Sequence, residues 1–268
     1  MEVVLGGKPL TTPNSLDTRL AILLWGMAGC GKTTLAATAP GKKLWILFDP
    51  DGEISLQGRD DIQVLDLSSE RHVSMVEKLK SEDPYGIEKY LKDNPDIETV
   101  VLDSATALTS FATDNAVHHV KSATIENLGL KGYGHRNAIV LRVLTTFMRM
   151  TKRLNRHFII ISHEDAPRTN DDGIILLISL ALGGKMTSQV GLQISEIWWM
   201  SDTGKERRIA VRPIRKYAPM KSRMFDVSGA PDFVWHYDAV NWKGDGIQDW
   251  FNKWKEGQGR KIPLPGSK

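Results

Sequence analysis

A stretch near the start of the chain has the residue types and the spacing of a loop that binds phosphate groups. Residues 26–33 fit the pattern G-x-x-x-x-G-K-[ST], which ends in Lys32 and Thr33. Glycines let the backbone curl so that successive N–H groups point at phosphate oxygens, and the N-terminus of a following helix adds partial positive charge. Lys32 would reach the β- and γ-phosphates, and the Thr33 hydroxyl would bind Mg²⁺. The residues expected to bind the nucleotide are Gly26, Met27, Ala28, Gly29, Cys30, Gly31, Lys32, Thr33 and Thr34.

The residues around this motif supply the strand and the helix that such a loop needs. The apolar run Leu20–Trp25 before it is typical of a buried parallel strand. The run Thr34–Ala39 after it is typical of a helix, which would stop at Pro40 and Gly41. The alternative, an ordinary glycine-rich turn with an exposed lysine, would not need this context. The sequence therefore predicts a site for a nucleoside triphosphate.

Asp103 is the expected second ligand of the metal ion. The run Thr99–Leu102 predicts a strand, and Asp103 follows it at the carboxyl edge, where ligands bind in parallel sheets. The alternative is that Asp103 caps the helix that begins near Ala105, a role that Ser104 would fill equally well. Thr33 and Asp103 are therefore the expected Mg²⁺ ligands.

Hydrolysis also needs a group that orients the attacking water, and the chain offers several carboxylates. The strand predicted at Lys43–Phe48 is followed by Asp49, Asp51 and Glu53. Asp51 lies closer to the strand end, whereas Glu53 has the longer reach, and we take these two as the catalytic candidates. A solvated acidic turn is the alternative.

A histidine follows another predicted strand. The run Phe158–Ile161 is apolar and leads through Ser162 into His163 and Glu164. A polar residue at this position would touch the γ-phosphate and report its presence to the following segment, so His163 is the third catalytic candidate. The alternative is a histidine that only satisfies a strand-end carbonyl.

The order of the predicted elements indicates the fold class. Strand signals alternate with helical patterns up to residue 161, which predicts an α/β fold with a mainly parallel central sheet flanked by helices. The clearest helix signal is Ala138–Leu154. Later strand signals at Ile174–Leu182, Glu196–Met200 and Arg207–Ile214 predict an antiparallel extension of the sheet. We expect a flexible N-terminal arm at 1–18, a core at 19–230 and a Trp-rich C-terminal extension at 231–268 whose end is disordered.

Composition is that of an ordinary soluble globular chain, with 268 residues, 41% of them hydrophobic and 25% charged. The single cysteine, Cys30, lies inside the loop motif. No internal disulfide is therefore possible, and a reducing, cytoplasmic compartment fits. No apolar stretch approaches the roughly 18 residues of a membrane span, and no secretory leader is visible. We expect no membrane partner.

Basic residues cluster between positions 205 and 223, although the net charge of the whole chain is only +3. Eight lysines and arginines in this stretch are opposed by Glu206 alone. If these side chains face outward, they would contact nucleic-acid phosphates. The alternative is a solvated pair of strands whose outer faces are basic, and the sequence does not favour either. The candidates for DNA contact are Arg207, Arg208 and Arg212.

Together these segments resemble the RecA-like P-loop ATPases. The core motifs of that group are similar to Gly26–Thr34, Asp49–Glu53, Val100–Ser104 and Ile159–Glu164. Further segments resemble the bacteriophage branch, the Sak-type single-strand annealing and recombination ATPases. These segments are Gly132–Gly134, Gly183–Lys185, Ile197–Trp199 and Met220–Arg223. The resemblance covers about residues 18–228.

The resemblance implies a RecA-like fold, ATP and Mg²⁺ as cofactors, and DNA-stimulated ATP hydrolysis on single-stranded DNA during recombination or annealing. It implies a homo-oligomer, ring or filament, in which Lys221 and Arg223 match the basic pair that reaches a neighbouring subunit's ATP. The segment Asp165–Lys185 would face the DNA, and a single-strand-binding protein is one candidate partner. The group usually has a glutamate where Asp51 falls, which keeps Glu53 as the alternative. A phage-encoded protein of this kind would act in the host cytoplasm.

Two other functions stay open. A nucleotide-switched motor or loader acting on a protein partner, such as a helicase or packaging subunit, fits the near-neutral charge. A small-molecule kinase is the third, although such kinases usually carry an arginine-rich lid and the segment 165–173 offers only Arg168. Fold analogy alone does not separate these functions.

Overall fold

The structure, a computed structural model, describes residues 4–9, 19–121, 124–183 and 186–266. The predicted arm 1–18 lies largely outside these residues, and Gly184, Lys185 and residues 267–268 lie wholly outside them. The strands are β1 Val4–Leu5, β2 Lys8–Pro9, β3 Ala21–Gly26, β4 Lys42–Leu47, β5 Ile62–Asp66, β6 Ile97–Asp103, β7 His157–His163, β8 Arg168–Thr169, β9 Ile175–Leu177, β10 Glu196–Asp202, β11 Arg207–Ala210 and β12 Asp232–Trp235. The helices are α1 Lys32–Ala37, α2 His72–Leu79, α3 Ile87–Asp93, α4 Ala105–Val120, α5 Gly129–Arg153, α6 Met186–Gln193 and α7 Ile247–Glu256.

Eight strands form the central sheet, in the order β12-β11-β10-β3-β7-β6-β4-β5. The six strands from β10 to β5 are parallel to one another, whereas β11 pairs antiparallel with both β10 and β12. The predicted fold class is confirmed: an α/β fold with a mainly parallel sheet, flanking helices and an antiparallel extension.

Both faces of the sheet are covered, which explains why the strands are continuous apolar runs rather than alternating ones. In β3, Leu23 and Trp25 belong to a core cluster shared with α4 and α5. The alternate residues Ile22 and Leu24 belong to a second cluster, shared with α1 and α7. Successive residues of a strand point to opposite faces, so one apolar run supplies both cores.

The register of the parallel strands brings their carboxyl ends together at one edge. Gly26 at the end of β3 lies opposite His163 of β7 on one side and Met200 of β10 on the other. Asp103 at the end of β6 lies opposite Leu47, the last residue of β4. The residues that follow these strands therefore meet at the phosphate loop.

Two predicted elements differ from the structure. Only the β9 part of the expected strand Ile174–Leu182 is a strand, and it pairs with β8 in a separate two-stranded sheet. The Asn170 side chain accepts the N–H of Ile174 at 2.7 Å, which folds the chain back locally into a hairpin. Helix α5 begins at Gly129, upstream of the predicted start, because Gly132 and Gly134 are poor helix formers and mask the pattern.

The C-terminal residues pack against the sheet. Strand β12 pairs with β11, and Trp250 of α7 is buried in the second core cluster. Thr38, just after α1, accepts the N–H of Ile247 through its hydroxyl at 2.9 Å. The division of the chain at residue 230 stays a prediction. In the described part of the chain, every helix is too short or too polar to cross a membrane.

His157 gives the stability of this fold a pH dependence. Its Nδ1 accepts the N–H of Leu20 at 3.0 Å, and its ring meets Phe251. Burial lowers the pKa of His157 from 6.5 to about 4. The unfolded chain binds a proton at the ordinary pKa, so the stabilisation is complete above about pH 6.5 and is lost as the pH falls towards 4.

We therefore expect wild-type protein to lose roughly 2–3 kcal/mol of unfolding free energy between about pH 7 and pH 4.5 through this residue. His157→Asn, whose Oδ1 can accept the same N–H, should lose correspondingly less. Urea unfolding of both proteins across this range measures the difference. Parallel pH profiles for the two proteins would contradict the assignment.

Candidate nucleotide site

The backbone of the phosphate loop requires glycine at defined positions. Gly26, Gly29 and Gly31 have φ angles of 148°, 78° and 95°, which L-residues with side chains rarely adopt. A Cβ on Gly26 would lie 2.1 Å from the carbonyl oxygen of Met200 on β10. The first glycine of the motif therefore serves both the turn and the close approach of the neighbouring strand.

Lys32 is held inside this loop and is only 5% exposed. Its Nζ donates to the carbonyl oxygens of Gly26 at 3.0 Å and Met27 at 2.6 Å, and lies 3.7 Å from the Cys30 sulfur. Burial lowers the pKa of Lys32, although Cys30 and Asp103 act in the opposite direction. Burial likewise raises the pKa of the Cys30 thiol. The ammonium group is thus positioned by the loop that it would serve.

Asp103 lies beside the loop at the end of β6. Its Oδ2 accepts the Thr33 hydroxyl at 3.3 Å and the Trp45 indole N–H at 3.2 Å. Burial, together with the nearby charge of Asp49, raises the pKa of Asp103 to about 6. The cap of α4 is instead Ser104, whose hydroxyl accepts the N–H of the third helical residue. Asp103 is therefore left free of the capping role.

The chemistry of this donor set fits a magnesium ion. Thr33 supplies a hydroxyl oxygen and Asp103 a carboxylate oxygen, within hydrogen-bond distance of each other. Magnesium is a hard cation that binds through one or two protein oxygens and completes its shell with water and substrate phosphates. In the described residues, no cluster of three or more Asp, Glu, His or Cys could hold a metal by itself. A site completed by phosphate agrees with that finding.

The three carboxylates after β4 are not equivalent. Asp49 is half-buried; its charge helps to raise the pKa of Asp103 and partly opposes the lowering of the pKa of His163. Asp51 and Glu53 are exposed, at and just after the start of a short 3-10 helix. Asp49 is thus the carboxylate of this segment that lies within the site. In the sequence, the signal for this was that Asp49 directly follows the predicted strand. Side-chain length, which favours Glu53, does not indicate which carboxylate lies at the site.

His163 lies at the same edge. It is half-buried; burial lowers its pKa, nearby Lys32 lowers it further, and Asp49 opposes both. Its N–H donates to the Thr106 hydroxyl at 2.8 Å, and its carbonyl accepts the N–H of Ala181 at 2.8 Å. The structure therefore brings together Lys32, Asp49 and His163, as well as Thr33 and Asp103.

Glu164 is a neighbour of the site that the sequence did not single out. Its charge acts on Lys32, and its Oε2 accepts the indole N–H of Trp199 at 3.1 Å. Trp199 in turn packs on Tyr217, with ring centroids 4.1 Å apart. A charged residue directly after a strand-ending histidine was the available signal.

The three arginines expected to contact DNA lie in different surroundings. Arg207 pairs with Asp202 through its Nε at 3.0 Å, and its side chain lies against Gly31 of the phosphate loop. Arg208 is paired with both Glu206 and Asp232, at 2.7 and 3.0 Å. Arg212 is exposed and donates to the carbonyl oxygen of Val227.

Lys221 and Arg223 lie away from the phosphate loop of their own chain. The backbone of Lys221 pairs with Ile197 near the start of β10, at the opposite edge of the sheet. The Lys221 ammonium donates to the carbonyl oxygen of Gly191 at 2.6 Å. The segment is fixed by buried Glu196, which accepts the N–H of Arg223 at 2.7 Å. The structure does not bring this pair into the site.

Comparison with known protein families identifies the family to which this chain belongs. A family model described as AAA domain (AAA_24) matches residues 18–204. The chain belongs to this AAA domain family. It is accordingly a nucleotide-binding P-loop ATPase, and the match spans β3 to the end of β10.

Among solved structures, the crystal structure of the RadB recombinase is distantly similar to this AAA domain chain. The sequence identity is 13% and the TM-score is 0.41, over 73% of this chain and 81% of that chain. No curated protein matches the chain.

The loop geometry gives a direct test at two glycines. Alanine at either position is strained by the positive φ, but a Cβ at Gly29 meets no atom within 4 Å, whereas at Gly26 it meets the carbonyl of Met200. We expect Gly26→Ala to cost roughly 1–3 kcal/mol more unfolding free energy than Gly29→Ala, because of overpacking between β3 and β10. Urea unfolding measures both. Equal costs would show that the strand contact at Gly26 is relaxed.

Proposed function

We propose that this AAA family member binds ATP with Mg²⁺, hydrolyses it, and acts on single-stranded DNA in recombination or annealing, as part of the bacteriophage Sak-type branch. The observation that carries the ATPase part is the contact between Thr33 and Asp103, at 3.3 Å, beside the phosphate loop. The motif and the strand-ending carboxylate are seventy residues apart in sequence, and the fold joins them.

The residues of the loop have separable roles in this proposal. Lys32 contacts the β- and γ-phosphates, and Thr33 with ionised Asp103 holds Mg²⁺. A pKa of about 6 keeps Asp103 largely ionised at neutral pH. Bound Mg²⁺ would neutralise negative charge on the γ-phosphoryl group. Trp45, which donates to the same Asp103 oxygen, fixes the orientation of the carboxylate.

The attacking water is oriented by a carboxylate at the end of β4, and the γ-phosphate is sensed by His163. Asp49 has the strongest support, because it is half-buried and directly follows Phe48, whose N–H donates to the carbonyl oxygen of Asp103 at 2.7 Å. Asp51 and Glu53 are the exposed alternatives. General bases act within hydrogen-bond reach of the water that they orient, so position decides among the three.

The hairpin β8–β9 supports action on a polymer, because it is joined directly to the nucleotide site. Besides the bond from Ala181 to His163, the N–H of Asp165 donates to Ser179 at 2.7 Å. The hairpin surface exposes Arg168 and Leu176. Arg168 and Leu176 are suited to contact the phosphates and bases of a single strand, whereas the exposed Asp171 and Asp172 of the hairpin turn would face away from the phosphates. Arg208 and Arg212 remain candidates for further phosphate contacts.

The position of Lys221 and Arg223 supports assembly into a ring or filament. They lie at the edge opposite their own phosphate loop, so their contact with ATP would have to be made in a neighbouring copy. Glu196 holds their segment rigidly, with hydrogen bonds from Trp198, Ser222 and the backbone. A single-strand-binding protein is a candidate partner of such an assembly, and the host cytoplasm is its proposed place of action.

The ATPase proposal is tested at Lys32 and Asp103. We expect Lys32→Ala and Asp103→Asn each to lower turnover by at least about 10²-fold, since the first removes the phosphate-binding charge and the second a metal ligand. Steady-state phosphate release measures turnover, and Lys152→Ala, which removes an exposed lysine at the end of α5, is the matched control. Normal turnover in folded Lys32→Ala protein would contradict the proposed ATPase site.

The water-orienting carboxylate is identified by comparing Asp49→Asn, Asp51→Asn and Glu53→Gln. We expect Asp49→Asn to lower kcat by about 10²-fold or more with little change in ATP affinity, because the effect belongs to the transition state. The other two should stay within about twofold of wild type, as expected of exposed groups. A large fall in kcat for Asp51→Asn or Glu53→Gln alone would transfer the role to that residue.

DNA action and assembly are tested together by mixing subunits. We expect single-stranded DNA to raise ATP turnover, and Lys221→Ala to lose this stimulation. Mixing Lys221→Ala with Lys32→Ala subunits should restore part of it, because some interfaces then combine an intact Lys32 with an intact Lys221. No recovery between co-assembled mutants would place Lys221 within its own chain. Intact basal hydrolysis without any DNA effect would favour a motor acting on a protein.

A further inference from the structure

The phosphate loop has different neighbours on its two sides. Strand β3, which leads into the loop, lies between β7 and β10. On the β7 side are Asp103 and His163, which end β6 and β7. On the β10 side, the chain turns at residues 203–206 and returns as β11, beginning with Arg207.

This asymmetry sets the direction of the bound nucleotide, an argument that rests on the proposed function. With Mg²⁺ held by Thr33 and Asp103, the γ-phosphate end lies towards β6 and β7. The opposite, nucleoside end of the same linear molecule must then leave the loop towards β10 and β11. The groups found there are those that would meet the nucleobase.

A cavity of about 260 Å³ lies on this side, between the β10–β11 turn and β12. It is smaller than the roughly 300–1,000 Å³ of sites that enclose whole drug-sized ligands. A site for a nucleobase alone has no need to enclose the triphosphate, which occupies the loop. The lining includes Asp202, Lys205, Glu206, Arg207, Trp235 and His236.

The charges of this lining favour a neutral ring over a phosphate. Asp202 and Glu206 line the cavity together with Lys205 and Arg207, so the lining has no excess of positive charge to attract a phosphate group. Each carboxylate is already paired with an arginine, Asp202 with Arg207 and Glu206 with Arg208. Carboxylates of this kind accept hydrogen bonds from exocyclic amino groups of a base.

Arg207 links the cavity to the phosphate loop. Its side-chain carbon and guanidinium atoms lie 3.4–3.5 Å from the point where a Cβ of Gly31 would be, so the glycine permits the contact. The ion pair with Asp202 uses Nε, and the side chain is 31% exposed. A guanidinium group is planar and stacks on aromatic rings, a contact that lysine does not reproduce.

We propose that this cavity binds the nucleobase of the nucleoside triphosphate and that the Arg207 guanidinium stacks on the ring. Arg207 is then a nucleotide-binding residue rather than a DNA-binding one. Its neighbour Arg208 lies on the opposite face of β11, since successive residues of a strand alternate, and has no part in this contact.

The test compares Mg-ATP with inorganic tripolyphosphate, which has the phosphates but no base. We expect Arg207→Gln to raise the Kd of ATP by about tenfold, a difference of about 1.4 kcal/mol. The inhibition constant of tripolyphosphate, measured by competition, should change by less than about twofold. Arg207→Lys, which keeps the charge without the plane, should behave as Arg207→Gln does. Arg149→Gln, which removes an exposed arginine of α5, is the matched control and should bind both ligands as wild type does.

Unchanged ATP affinity in Arg207→Gln, or an equal loss for ATP and tripolyphosphate, would overturn the base-stacking role. Lys32→Ala separates this result from a failure of the proposed function, because it should weaken both ligands. If Lys32→Ala weakened neither, the phosphate site itself would be refuted.

A second measurement uses the wild-type protein and so does not depend on the folding of any variant. Light-activated 8-azido-ATP attaches covalently to residues beside its base, and peptide mapping locates the attachment. We expect the label within residues 202–207 or 234–236. A label within residues 49–53 or 163–168 would reverse the direction of the nucleotide and overturn the proposal.

Discussion

A single buried carboxylate joins the parts of this protein that the sequence keeps apart. Asp103 accepts hydrogen bonds from Thr33 at the end of the phosphate loop and from Trp45 in the middle of β4. Three elements therefore share one group that is only 6% exposed. Its burial disfavours the charge, which raises the pKa to about 6. A bound cation would offset that cost, so burial gives the Asp103 carboxylate an affinity for positive charge.

The strand order determines which residues lie on each side of the phosphate loop. Because β7 separates β3 from β6, the loop and Asp103 face each other across one intervening strand, which ends in His163. The antiparallel return of β11 covers the other flank of the loop and brings Arg207 against Gly31. Under the proposals above, the residues that contact the phosphates and the residue that contacts the base would lie on different strands.

The parts of the site that are local in sequence were predictable, and those that depend on tertiary folding were not. The loop motif and the strand-ending Asp103 follow from short-range rules of parallel sheets. The half-buried position of Asp49, in contrast to the exposed Asp51 and Glu53, depends on how the chain turns after β4, which no periodicity reveals. The contact of Arg207 with Gly31 depends on the pairing of β11 with β10, so the basic composition of residues 205–223 was the only visible signal.

The connection between the nucleotide site and the β8–β9 hairpin is made by main-chain atoms. Ala181 donates to the carbonyl of His163, and Asp165 donates to that of Ser179, without the help of a side chain. Backbone hydrogen bonds survive most substitutions, whereas exposed side chains such as Arg168 and Leu176 are free to vary. Substitutions can therefore alter the hairpin surface while its main-chain link to His163 persists. If the hairpin contacts DNA as proposed, its choice of partner could change without loss of that link.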